Sequence, residues 1–429
     1  MPIDSQHSLP SRARNISLAS SGQPPLAPEQ AGLDTLDRLD ALESVSRKTR
    51  TQADRFLNIA KRGLPRMHRS GAFGHTLRAV KVKSDWTERL EGDSLRYTAI
   101  AALGLSYVDR ATQQQILGGD TAFDLAHVCA VRATTSADMG AIALAAWAAA
   151  EAGRFHSVPL FRQLMQILAS DTPIATVDCA WALSAGLAAR QFGDTQDVVS
   201  LATKRLMSGL SASGLFPHML PASASGRFRA HIGCFADQVY PIQALSRLHA
   251  AQSNTDALSA AEVCAERICA LQGPVGQWWW HYDTRNGGVV EGYPVYSVHQ
   301  HAMAPMALLD LREAGGTDYS QAIIKGMRWL DEHPEVSMPL VASEKGVIWR
   351  KVARREPRKA VRVLSAVSTS LLPGLHVPGL DTLFPPVRVD YECRPYELGW
   401  LLYAWLSGGV VARLSSSPAG DSPATLKEI

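Results

Sequence analysis

Neither sign of charge predominates in this chain: 43 Lys and Arg face 40 Asp and Glu, a formal net charge of +3 over 429 residues. That balance excludes wholesale nucleic-acid binding. No apolar run approaches the roughly 18 residues that span a bilayer, so no transmembrane segment is expected. The six cysteines (Cys129, Cys179, Cys234, Cys264, Cys269, Cys393) are scattered without a CxxC pair. No disulfide framework is indicated, and a reducing, cytoplasmic setting fits. The first residues carry no charged-then-apolar secretion pattern. The Ser/Pro/Gln-rich stretch 1–30 reads as a disordered leader and 416–429 as a disordered tail. Aromatic residues amount to only 7%, so the places where they gather are informative.

Against these absences stands a repeated segment: a polar or acidic residue, a long Ala/Leu-rich helix, then Gly. Arg96-Tyr97-Thr98 runs into AIAALGLSY, Ala137-Asp138-Met139 into GAIALAAWAAAEAG, and Val177-Asp178-Cys179 into AWALSAGLAA. Ala236-Asp237-Gln238 runs into VYPIQALSRLHAA, Val298-His299-Gln300 into HAMAPMALLDLREAGG, and Tyr396-Glu397-Leu398 into GWLLYAWLSGG. These helices are apolar nearly all round and are expected to be buried on every side. Between them lie helices with a polar face, such as 157–168 and 256–271. Six inner helices paired with outer ones predict an all-α fold, an (α/α)6 toroid over residues 31–415. A helical hairpin buries its apolar stripe only against its neighbours, and a ring leaves no exposed end. The long loops 214–235, 273–297 and 373–394 precede inner helices and should wall a cleft at one mouth of the ring.

The segment from Ala270 to Trp278, ALQGPVGQW, is similar to the Gln-Trp motif of squalene-type cyclases, in which Gln and Trp tie an outer helix to the next loop. Asp178-Cys179-Ala180 looks like the Asp-Cys-Thr-Ala of oxidosqualene cyclases. With the hairpin repeat, the chain resembles the α/α-toroid superfamily of terpenoid cyclases, protein prenyltransferase β subunits and six-hairpin glycan-processing enzymes. The resemblance implies the fold, and under a cyclase reading it makes Asp178 the proton donor. Cyclase chemistry itself fits less well: there is no Asp-x-Asp-Asp motif, and so few aromatics cannot line a cavity for carbocations. A zinc site of the prenyltransferase or lanthionine-cyclase kind would need Asp, Cys and His together, with Cys179, Cys234 and His299 as loose candidates. No metal or cofactor is expected.

Asp138, Asp178, Asp237 and Glu397 recur at the start of an inner helix, where a carboxylate meets the positive end of the helix dipole. Equivalent positions in a ring also face one axial cavity. Two carboxylates on one substrate can divide the roles of proton donor and base or nucleophile, as glycosidic cleavage requires. These four and His299 are the catalytic candidates. The aromatic stretch 277–301 adds Trp279, Tyr282, Asp283, Tyr293, Tyr296 and Gln300 as substrate contacts. Consecutive Trp residues cannot all face one core, and an exposed one is a platform for a sugar ring. His218, Arg229, His231 and Gln238 form a second such group, in which each His either exchanges protons near neutral pH or hydrogen-bonds loop carbonyls. Tyr293, Tyr296 and His299 with an Arg would suit proton abstraction beside a uronic-acid carboxylate.

The basic stretch Lys345, Arg350, Lys351, Arg354, Arg355, Arg358, Lys359 and Arg362 reads as a solvated outer face. Its other reading is an amphipathic segment, broken at Pro357, that meets an anionic surface or polymer at 345–362. The expected protein is a cytoplasmic glycan- or polysaccharide-processing enzyme (hydrolase, lyase or epimerase) acting on an oligosaccharide or polysaccharide. An isoprenoid cyclase or prenyltransferase-like enzyme and a non-catalytic glycan- or protein-binding toroid are the alternatives.

Overall fold

The computed structural model describes residues 37–82 and 85–416; the leader at 1–30 and the tail beyond 416 lie outside the described residues. Twelve helices form six hairpins, each an outer helix followed by an inner one. They are α1 (Arg47–Gly63) and α2 (Leu95–Leu105), α3 (Ala122–Ala133) and α4 (Met139–Glu151), and α5 (Val158–Ala169) and α6 (Thr176–Ala189). Then follow α7 (Gln196–Gly209) and α8 (Ala236–Gln252), α9 (Thr255–Ala270) and α10 (Ala304–Glu313), and α11 (Ser320–Glu332) and α12 (Pro395–Leu406). The inner helices touch in the order α2, α4, α6, α8, α10, α12 and back to α2, so the ring closes. The six polar-headed segments of the sequence are these six inner helices.

Composition explains the two layers. In α4 every residue from Met139 to Ala150 is buried, and its alanines let neighbouring helices approach. Helices α2 and α12 approach closely: a Cβ on Gly104 would lie 2.1 Å from the Gly399 carbonyl oxygen. Outer helices bury one stripe only; α11 buries Ile323, Met327 and Leu330 and leaves its other face polar. Starts are fixed by caps: Ser94 accepts from the Tyr97 amide at 3.3 Å, Asp138 from the Gly140 amide at 3.1 Å, and Asn254 from the Ala257 amide at 2.9 Å. A π-turn, His299–Met303, leads into α10. Pro305 has no N–H to offer the His301 carbonyl, and the Trp405 indole fills the gap at 2.9 Å.

The long loops before the inner helices pair into small antiparallel sheets, a two-stranded one of Ile174–Ala175 with Met219–Leu220 and three of three strands each. Ile232–Cys234, His281–Asp283 and Val289–Glu291 form one. Val295–Tyr296, Lys351–Ala353 and Arg388–Asp390 form the second, and Glu392–Cys393 joins the hairpin 76–91 in the third. Gln272 ties its loop to α11, donating to the carbonyls of Gly276 at 3.1 Å and Ala322 at 2.9 Å, while Trp278 is fully buried beneath it.

The opposite end of the ring, at the C-termini of the inner helices, is plugged. Arg247 of α8 donates to Asp310 at 2.6 Å and to the Tyr403 hydroxyl at 2.7 Å, with its guanidinium over Trp147. Glu151 accepts from Trp147 Nε1 at 2.6 Å and from Tyr403 at 2.7 Å. Arg38 closes the set, paired with Asp310 and donating to the Ala404 carbonyl at 2.8 Å. Burial alone would raise the Asp310 pKa, but Arg247 and Arg38 outweigh it and hold the carboxylate below its usual range.

Candidate functional site

The N-terminal ends of the inner helices converge on the other mouth. From the start of α2, Arg96 reaches Asp138 at 2.7 Å and Asp178 at 3.0 and 3.2 Å, and its guanidinium lies over the Trp181 ring. Gly140 makes room for this bridge: a Cβ there would lie 2.3 Å from Asp178 Oδ1 and 2.4 Å from Arg96 Cζ. The three side chains differ in environment. Asp138 is half-exposed, and despite partial burial the Arg96 hydrogen bonds keep its pKa low. Asp178 is only 13% exposed; burial raises its pKa against the pull of Arg96, and Asp138 and Asp237 push it further up. Trp181 Nε1, beside them, is a buried donor without a partner.

Asp237, in the first turn of α8, has a fully buried side chain. It accepts from the Cys234 amide at 2.7 Å and lies 3.1 Å from His218 Nδ1. His218 is 48% exposed to the mouth. Its hydrogen bond to Asp237 and that carboxylate's charge raise its pKa above 6.5. The ligand atoms of His218, Cys234 and Asp237 all lie within 4.8 Å of one another, a donor set that suits a tetrahedral ion. As it stands the trio is satisfied internally by hydrogen bonds, and burial lifts the Cys234 thiol well above its ordinary pKa. The trio offered by the sequence does not assemble: Cys179 faces away from the mouth, bonded to the Ala202 carbonyl at 3.4 Å.

Across the mouth, Glu397 in the first turn of α12 caps its own helix by accepting from the Arg394 amide at 3.0 Å. Arg350 approaches it at 3.3 Å and stacks over Tyr296. Burial raises the Glu397 pKa to about 7, against the pull of Arg350 and Arg394. Arg394 also donates to the Tyr97 hydroxyl at 2.9 Å, and Tyr97 packs on Tyr396. His299 sits in a stack with Phe235, Trp280 and Tyr296; burial drives its pKa down to about 3, so this imidazole is neutral and packed.

Asp138, Asp178, Asp237, Glu397, His218 and Tyr296 are therefore brought together at one mouth, with Arg229 exposed on its rim. Several other candidates hold the loops instead. Tyr282 is fully buried in the core. Asp283 pairs with Arg285 at 2.8 Å, and His231 binds the Thr369 hydroxyl at 2.9 Å. Gln238 clamps the Phe216 backbone by both its amide groups at 2.9 Å, and Gln300 donates to the Tyr296 carbonyl at 3.2 Å. Trp279 and Tyr293 line a separate cleft of about 540 Å³ with Glu291, Arg354, His376 and Asp381. The basic stretch is not one amphipathic segment: Arg350, Lys351 and Arg354 turn inward onto Glu397, Asp390 and Glu291, and Lys345, Arg355, Arg358 and Lys359 are exposed. Arg96, Trp181, Arg350 and Arg394 were not among the sequence candidates. For Arg96 the signal existed, since it heads an inner helix as the acids do.

No protein-family profile matches the chain, and no curated protein does. Solved structures do. A single-residue variant of unsaturated glucuronyl hydrolase from Streptococcus agalactiae, complexed with dGlcA-GalNAc6S, is 10% identical and covers 87% of this chain and 92% of its own, with a TM-score of 0.52. Unsaturated glucuronyl hydrolase from Bacillus sp. GL1, responsible for the degradation of glycosaminoglycan, is 14% identical and covers 85% and 97%, with a TM-score of 0.50. One specific for heparin is 11% identical over the same shares, again at 0.50. At these identities the likeness is one of fold, and it matches the six-hairpin ring.

Proposed function

We propose that the protein is a glycan-processing enzyme that hydrolyses an acidic, uronate-bearing oligosaccharide at the N-terminal mouth of its ring. The observation that carries this reading is the facing of two unlike proton carriers, the Arg96-held Asp178 and the Asp237-held His218. The working state is an ionised Asp178, held by Arg96, opposite a His218 whose protonated form Asp237 favours. His218 then gives its proton to the leaving glycosidic oxygen, and Asp178 takes one from the water that attacks the sugar carbon. Asp237, fully buried, positions His218 and holds its charge. Exposed Arg229 and half-buried Arg394 supply cations for a substrate carboxylate. The fold shared with hydrolases of unsaturated glucuronyl saccharides supports a sugar acid as the substrate class.

An isoprenoid reading fares worse. The mouth is charged, and the ring axis below it is filled by the buried side chains of Trp147, Tyr240, Trp400 and Tyr403, where a prenyl chain would have to lie. The test is release of reducing ends from uronate-terminated disaccharides, saturated and unsaturated. Turnover is expected to be bell-shaped in pH, rising as Asp178 ionises above the usual carboxylate range and falling as His218 loses its proton above 6.5. Turnover that survives Asp178→Asn unchanged, or binding of these sugars without any turnover, overturns the reading; the latter leaves a binding toroid.

A further inference from the structure

Every exposed leucine among the described residues falls between positions 364 and 383. Leu364, Leu371, Leu372, Leu375 and Leu383 are 41% to 71% exposed, with Val363 at 60% and Val387 at 51% beside them. They sit on the helix Ala360–Leu371 and on the loop that follows it. Ser370 Oγ bonds the Arg227 carbonyl at 3.3 Å, which brings Phe228, itself 45% exposed, to the same rim. Five exposed leucines and two exposed valines thus gather within 25 residues, and a concentrated exposed apolar patch marks a surface that is covered in use.

The charge around the patch identifies what covers it. Arg227, Arg355, Arg358, Lys359 and Arg388 are all exposed there. The nearby acids are engaged: Asp381 pairs with Arg354 at 2.7 Å and Glu356 accepts from the Val361 amide at 2.5 Å. A second copy of the chain, meeting this face with its own, would set like charges against each other. An anionic polymer would satisfy the cations and leave the leucines in water. An anionic lipid surface satisfies both, with arginines at the headgroups and leucines at the acyl boundary.

We infer that the rim formed by residues 360–388 and the tip at Arg227 and Phe228 docks this protein on an anionic lipid bilayer. The inference is independent of what the mouth does. Flotation of the full chain with phosphatidylcholine vesicles, with and without about one third phosphatidylglycerol, tests it. The chain is expected to float with the anionic vesicles, to stay behind with the neutral ones, and to be released by salt. The double substitution Leu371→Ser with Leu372→Ser, and separately Arg355→Glu with Arg358→Glu, should each lower the bound fraction about tenfold without moving the melting temperature; Leu383→Ser with Val387→Ser serves if the first pair proves destabilising. Absence of flotation, equal flotation with neutral vesicles, or leucine variants that bind as well as the parent would each overturn it. So would a concentration-dependent dimer that the same leucine substitutions dissolve.

Discussion

At the C-terminal end of the inner ring, Asp310 lies between Arg247 and Arg38, and its pKa is held down. At the N-terminal end, Asp178 and Glu397 also have arginines beside them, yet their pKa values are raised. Both ends bury carboxylates, so burial alone does not separate them. The difference lies in how completely each acid is paired. Asp310 takes charged hydrogen bonds on both oxygens, from Arg38 on one and from Arg247 on the other. Asp178 shares its single arginine with Asp138, and Glu397 has Arg350 at 3.3 Å with Glu392 competing for it. One end of the ring spends its charges on holding six helices together. The other leaves them under-paired around a mouth, which is the condition in which a carboxylate exchanges protons near working pH.

The largest effect expected from breaking this contrast is at the plug. Asp310→Ala removes the carboxylate shared by two fully buried arginines, leaving Arg38 with Glu313 and Arg247 with the more distant Glu151, and should cost about 3–5 kcal/mol of stability, read as a lower denaturation midpoint. Asp178→Asn at the mouth should leave stability unchanged or slightly higher, because it removes an under-compensated buried charge, while lowering turnover about 10²- to 10⁴-fold. If Asp310→Ala were the milder change in stability and Asp178→Asn the harsher, the division of labour between the two ends would be wrong.

Glu397 sharpens the same comparison through pH. Folded, it keeps its proton up to about pH 7, whereas its ordinary value is 4.5. The folded state therefore binds more protons across that window, and stability falls as pH rises from 4.5 to about 7, by up to about 3 kcal/mol. Glu397→Gln should flatten that slope. Asp310 has the opposite sign: its contribution is present above the usual carboxylate range and is lost only as pH falls through its depressed pKa. Thermal melts between pH 4 and 8 on the parent and Glu397→Gln separate the two.

The ring was legible because its signal is local: an Ala/Leu helix buried all round, such as 139–151, has no alternative in sequence terms, and a polar residue at its start repeats six times. The acids at the mouth followed from position alone. The other helix ends carry the same positional signal in Glu151, Arg247, Asp310 and Tyr403, which interrupt the last turns of otherwise apolar helices. Arg350 and Arg394 were not legible. Arg350 meets Glu397 only because strands of two or three residues bring distant loops together, and elements that short leave no periodic trace. The same pairing turns Arg350, Lys351 and Arg354 of the basic stretch inward. Tyr282 and Gln300 were misjudged because a polar tip on a loop reads the same whether it faces a cleft or clamps a backbone.

The smallest expected effect tests the mouth most closely. Gly140→Ala places a methyl where Arg96 Cζ and Asp178 Oδ1 now lie. Arg96 is about one third exposed, so it can swing aside at little cost, and alanine favours the helix by up to about 1 kcal/mol. Net stability should change by less than that. Asp178 would lose its cation, and with burial unopposed its pKa rises further. The rising limb of the pH–rate profile should then move to higher pH, with the falling limb, set by His218 and Asp237, left in place. A profile that shifts on both sides, or on neither, would mean that Arg96 does not govern the ionisation of Asp178.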